Sequence, residues 1–162
     1  MIYSPEMHAS HDEPGPDFWR HLLAARASRV ETRTGDVGLC IGEAVIRVEA
    51  MASPCAVETI ERGVWTSGPL AGIAFSTAYR WVWDAGSGHL HLSHLRFGAD
   101  RPLFLVTLVR RKTNDWRTVA PHRCGADVYE AAITSSPAGF SLRWRVQGPV
   151  KDQQLTTRYR SG

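Results

Sequence analysis

The stretch APHRCGADVYEA, residues 120–131, sets His122, Cys124, Asp127 and Tyr129 within eight positions, with a glycine among them. Side chains of these types can do several kinds of chemistry. A cysteine nucleophile needs His122 to hydrogen-bond Cys124 and a carboxylate such as Asp127 to orient the imidazole. General acid–base catalysis needs His122 tuned by Asp127 and assisted by the Tyr129 hydroxyl. A metal site needs more ligands, and HLHLSHL supplies His89 and His91 on one strand face and His94 on the other. Together with His122, such imidazoles are the set a catalytic zinc would use. The fourth use is a polar lining, in which Glu61, His122, Asp127, Tyr129 and an arginine satisfy one another inside a barrel.

Strand geometry weighs these uses unequally. His122 and Cys124 share a face roughly 6–7 Å apart by strand rise, point in parallel and touch poorly. A free cysteine is more often a small hydrophobe than a nucleophile. His89 follows directly on the turn AGSG, which places it at a solvated strand end. The expectation is therefore no metal and no cofactor, with metal binding by His91, His94 and His122 left open. Asp127 and Tyr129 have the opposite parity to His122 and Cys124. A bulge at Gly125–Ala126 would restore a common face, and glycine permits one.

The elements that must hold these residues repeat along the chain. One helix is predicted early, over PDFWRHLLAAR, where Phe18, Leu22 and Ala25 recur at helical spacing with Trp19 and Leu23 beside them. After Ser28 the period becomes two. RVETRT leads through GD, read as a two-residue hairpin turn, into VGLCIGEAVIRVEA. Further strands are expected in CAVETIERGVW, AGIAFSTAYRWVWD, GHLHLSHLRF, PLFLVTLVR, WRTVAPHRC, ADVYEAAIT, GFSLRWRVQG and DQQLTTRYR. Turn chemistry separates them every ten residues or so, including KTND after the basic RRK, a solvated hairpin tip.

Nine or ten strands with short connections make an antiparallel meander, and closure removes its exposed edges. The predicted fold is all-β, an up-and-down barrel of about 8–10 strands, with the helix over one end. A two-sheet sandwich is the alternative. Residues 1–15 read as a loose lead-in and 16–162 as a single domain. Alternation turns Phe140, Leu142, Trp144 and Val146 inward, and likewise Ile73, Phe75, Thr77, Tyr79, Trp81 and Trp83. Nine or ten strands leave room inside for a small ligand.

Composition narrows the partners. The 162 residues are 43% hydrophobic and 22% charged, and no apolar run approaches the ~20 residues that span a bilayer as a helix. The opening MIYSPEMHASHDEPGPDF lacks the basic and apolar regions of a secretory signal. Three cysteines, Cys40, Cys55 and Cys124, suggest a reducing, cytoplasmic setting over a disulfide framework. A net charge of +3 with scattered arginines argues against a nucleic-acid partner. No membrane partner is expected, and the oligomeric state is open.

APHRCGADVYEA and LRWRVQGPVKDQQLTTRYR, with the earlier AYRWVW and HLRFGADRPLFLVTL, resemble an uncharacterised bacterial family of small proteins of unknown function. The resemblance implies a lipocalin-like, calycin-type barrel. It rests on the His, Cys, Asp and Tyr at His122, Cys124, Asp127 and Tyr129. It rests also on a Trp-x-Val-x-Gly-Pro-x-Lys-Asp run at Trp144, Val146, Gly148, Pro149, Lys151 and Asp152. A last strand with Tyr159 and Arg160, and ERG at Glu61–Gly63, complete the likeness. The family's opening Gly-x-Trp is not matched, and Trp19 is the residue that would plug the barrel base in its place. GPVKD reads as a structural turn.

The leading reading is a barrel that binds a small apolar or amphipathic molecule. Tyr79, Trp81 and Trp144 would meet its apolar part; His122, Tyr129 and Glu61 would hold its polar end, with Cys124 in the same wall. The alternatives are a cofactor-free isomerase, cyclase or hydrolase using His122 with Asp127 and Tyr129, and a protein-interaction module.

Overall fold

The computed structural model describes residues 15–162, so the expected lead-in, Gly15 apart, lies outside the described residues. Helix α1 spans Trp19–Ala24 and is followed by strands β1 Ala25–Thr34, β2 Gly38–Ala50, β3 Ala56–Ser67 and β4 Ala74–Asp84. Then come β5 His89–His94, β6 Leu103–Lys112, β7 Asp115–Thr118 and β8 His122–Cys124. The last three are β9 Asp127–Ser136, β10 Gly139–Gln147 and β11 Asp152–Ser161.

Every pairing is antiparallel, and neighbours in sequence are neighbours in space. β11 pairs with β1, and β9 pairs with β10, so the meander closes on itself. β7 and β8 lie end to end along the same edge of β9, at Thr134–Ala132 and Tyr129–Asp127. The two act as one wall strand, giving a closed barrel of ten rather than a sandwich. WRTVAPHRC, expected as one strand, is broken at Val119–Pro121, because proline brings no N–H to the ladder. Thr118 bridges the break: its Oγ1 accepts from Ala131 N at 2.7 Å and donates to Ala131 O at 2.9 Å.

Antiparallel order puts the turns after β1, β3, β5, β8 and β10 at one end of the barrel, and α1 with the remaining turns at the other. The helix end is plugged. Phe18 and Leu22 are fully buried, and the Phe18 ring meets Trp81, Trp116 and Phe140 at 6.2, 5.8 and 5.3 Å. Trp19 is buried too, yet Phe18 is the side chain that reaches the centre. The helix is shorter than its pattern predicts and Leu23 is exposed, so one apolar stripe faces the barrel. Asp17, expected at the helix entry, makes no helix cap. Its carboxylate instead accepts from Asn114 N at 2.7 Å and Trp116 Nε1 at 2.8 Å, tying the helix to the β6–β7 turn.

The alternation read from GFSLRWRVQG holds: Phe140, Leu142, Trp144 and Val146 are all buried. In β4, Tyr79 and Trp81 are buried, but Ile73 precedes the strand and is 53% exposed. The ring of Phe75 lies against the β2–β3 wall because that wall is glycine there. A Cβ on Gly63 would collide with the Glu43 carbonyl and stand 2.7 Å from Phe75 Cζ, and one on Gly42 would stand 2.7 Å from Phe75 Cε1. The β1–β2 loop holds three residues rather than two, with Thr34 opposite Gly38 and Gly38 at φ +81°. That pattern of a turn followed by a left-handed residue is a common hairpin solution.

Candidate functional site

The open end leads into a cavity of about 260 Å³. Leu103, Leu105, Val146 and Leu155 supply its apolar wall, with the rings of Tyr79 and Trp144 deeper inside. His94, Arg96, His122, Cys124, Tyr129 and Gln153 bring polar groups around the mouth. Two ladders leave this region loosely closed. β6 pairs with β7 only from Leu108 onward, while β8 pairs with β9 alone. Phe104 and His122 face each other across that seam, ring centres 6.0 Å apart.

His122, Cys124, Asp127 and Tyr129 do share a face, by a different device from the one predicted. Gly125 and Ala126 form the two-residue turn of a hairpin, not a bulge, with Gly125 at φ +63°. His122 pairs with Tyr129 and Cys124 with Asp127, and directly opposed residues in an antiparallel pair lie on the same side. The His122 and Tyr129 rings stand 6.3 Å apart. Asp127 is drawn away. Its carboxylate pairs with Lys151 Nζ at 3.4 Å and packs on Gly148, where any Cβ would collide with Oδ1. Gly148 N donates to Lys151 O at 2.8 Å, so GPVKD is the turn that its composition suggests. Among the described residues no hydrogen bond or ion pair joins Asp127 to His122, and Cys124 is exposed rather than a buried hydrophobe.

The histidines of HLHLSHL are engaged separately. His91 Nδ1 meets Thr107 Oγ1 at 2.8 Å, and His94 Nδ1 accepts from Arg96 N at 2.9 Å. Burial, with the nearby Arg96 charge, holds the His94 pKa below the usual imidazole range. Among the described residues, no three His, Cys, Asp or Glu side chains gather to hold a metal ion.

Alternation also turns inward a polar cluster spread over β1, β3, β4, β10 and β11. Ser28 stands opposite Tyr159, and Glu61 sits diagonal to Tyr79 across β3 and β4. Glu61 is 4% exposed, and burial pushes its pKa up to about 7, against the counter-pull of the Ser28 hydroxyl close by. Burial, with the Glu61 charge next, raises the pKa of both Tyr79 and Tyr159. Three polar atoms here have no hydrogen-bond partner among the described residues: Ser28 Oγ, Tyr159 Oη and Trp144 Nε1. The Tyr79 hydroxyl is near Trp144 Nε1 without meeting it in hydrogen-bond geometry.

The eight residues singled out from sequence thus divide. Tyr79, His122, Cys124, Tyr129 and Trp144 line the cavity, Glu61 lies off its wall, and Asp127 belongs to a turn. Trp81 is fully buried among Phe18, Phe140 and Tyr159, donates from Nε1 to Thr59 Oγ1 at 3.0 Å, and forms the packed floor. Sequence reasoning missed Ser28, Gln153, Leu155 and Tyr159 as interior residues. Their odd-numbered alternation along DQQLTTRYR was the available signal for the last three. A larger depression, about 470 Å³, lies on the outer wall at the β7–β8 break, beside Arg117, Arg143, Arg145 and Glu130. Its rim is guanidinium and carboxylate open to water, whereas the interior cavity has the apolar enclosure of a ligand site.

A family model described as a family of unknown function (DUF6314) matches residues 23–161. No curated protein matches the chain. Among solved structures, one titled as a redesigned beta barrel is similar at 10% identity and a TM-score of 0.41. That match covers 89% of this chain and 97% of the other. Among the described residues, no helix is long and apolar enough to cross a membrane.

Proposed function

This chain belongs to DUF6314, a family of unknown function, and we propose that its barrel holds a small, largely apolar molecule with one polar end. The observation that carries this reading is the cavity itself: about 260 Å³, open at one end, with an aliphatic and aromatic wall and a few fixed polar groups. Ligand sites are built in this way, and the volume lies near the lower bound of the ~300–1,000 Å³ usual for them. A compact ring system or a short chain suits it better than a long lipid. A helix-plugged base and an open mouth support a lipocalin-like organisation. The thiols of Cys40, Cys55 and Cys124, all free, support a reducing compartment such as the cytoplasm.

Val146 lines the cavity from β10 and is 8% exposed, so a larger side chain there fills the space. Titration with 1-aminoanthracene, an apolar ring system with one amine, tests the reading by fluorescence. One saturable site is expected in the native protein, with affinity at least about tenfold lower in Val146→Trp, about 1.4 kcal/mol. Non-saturable enhancement, or equal affinity in a folded Val146→Trp, would refute it.

A further inference from the structure

One polar atom on the cavity wall carries the ligand reading one step further. Trp144 lines the cavity and is 5% exposed, yet its Nε1, a group that can only donate, meets no acceptor in hydrogen-bond geometry among the described residues. The Tyr159 and Ser28 hydroxyls, also without a hydrogen-bond partner among the described residues, lie beside Glu61 and off the cavity wall. Buried polar groups are nearly always hydrogen-bonded, so an unmet indole N–H on the cavity wall marks a place where something is received. What it must offer follows from the donor: an acceptor oxygen.

We propose that the ligand's polar end is a neutral carbonyl group, inserted oxygen-first toward Trp144 Nε1 on the cavity wall. This inference rests on the ligand-binding reading above. The choice of a neutral acceptor over a carboxylate comes from Glu61, buried in the same cluster within electrostatic reach of Tyr79 and Tyr159. A carboxylate in this buried place is disfavoured by desolvation, and by repulsion as well wherever Glu61 is ionised. An apolar ring without an acceptor would leave that donor unmet, which weakens binding roughly tenfold.

Three single-ring probes of matched shape separate the possibilities: acetophenone, ethylbenzene and benzoate, titrated into uniformly 15N-labelled protein. The tryptophan indole N–H signals report directly, and the Trp144 signal is identified as the one missing from Trp144→Phe. Acetophenone should bind about tenfold or more tightly than ethylbenzene and benzoate, and only acetophenone should move the Trp144 indole proton strongly downfield. In Trp144→Phe, which keeps an aromatic wall, the preference for acetophenone over ethylbenzene should shrink severalfold while ethylbenzene still binds. Tyr159→Phe, which removes a hydroxyl off the cavity wall, should leave the preference unchanged. Equal binding of acetophenone and ethylbenzene, or tighter binding of benzoate, would overturn the carbonyl assignment and leave the cavity reading standing. Binding of none of the three would overturn both.

Discussion

Glu61 is the residue where burial and charge conflict most. Its backbone partners, Ile46 and Thr77, offer no counter-ion, and its carboxyl is raised from an ordinary 4.5 to about 7. Because the folded value lies above the unfolded one, the folded state holds the extra proton between the two. The stabilisation is complete below pH 4.5 and is lost as pH rises through 7. The span corresponds to about 3 kcal/mol at most. Urea unfolding of the native protein should therefore lose about 3 kcal/mol between pH 4.5 and 8 relative to Glu61→Gln, whose curve lacks this component. Parallel curves for the two proteins would mean that Glu61 titrates normally. The surface pairs are a contrast: Arg29–Glu43 and Arg158–Glu31, at 3.4 and 3.1 Å, are exposed and worth under about 1 kcal/mol each.

At the level of elements, a six-residue helix is too short to be stable alone, so its position depends on what it is tied to. Asp17 makes that tie with two bonds to the β6–β7 turn, one of them from Trp116, which is 2% exposed. Asp17→Ala should cost about 1–3 kcal/mol and strip hydrogen-exchange protection from the α1 amides before it affects the strands. Unchanged exchange in α1 would show that Phe18 and Leu22 hold the plug without it. The legibility of such elements in sequence was uneven. The strands were legible because most alternate in burial and end in turn residues, as GFSLRWRVQG does. Local pattern cannot reveal a partner distant in sequence, so the link from Asp17 to Asn114 and Trp116 stayed hidden. So did the capture of Asp127 by Lys151 and Gly148, which removes it from any dyad with His122. The hairpin at Gly125–Ala126 was mistaken for a bulge because both devices bring the four side chains to one face.

For the whole molecule, the two ends of the barrel divide the work. Phe18, Trp81, Phe140 and Tyr159 pack into a solid base, with Phe140 stacked on Tyr159 at 4.5 Å and 7°. Above them the same strands diverge around a space, and the incomplete β6–β8 seam leaves its wall least closed beside His122. The indole N–H of Trp144, unmet among the described residues, belongs to the wall of that space. The most direct test of this division is a crystal structure of the protein saturated with 1-aminoanthracene. The account predicts the probe inside the barrel, against the faces of Tyr79 and Trp144, with Phe18 and Trp81 unmoved beneath it. An interior filled by side chains, with the probe on the arginine-lined outer wall near Arg143, would contradict it.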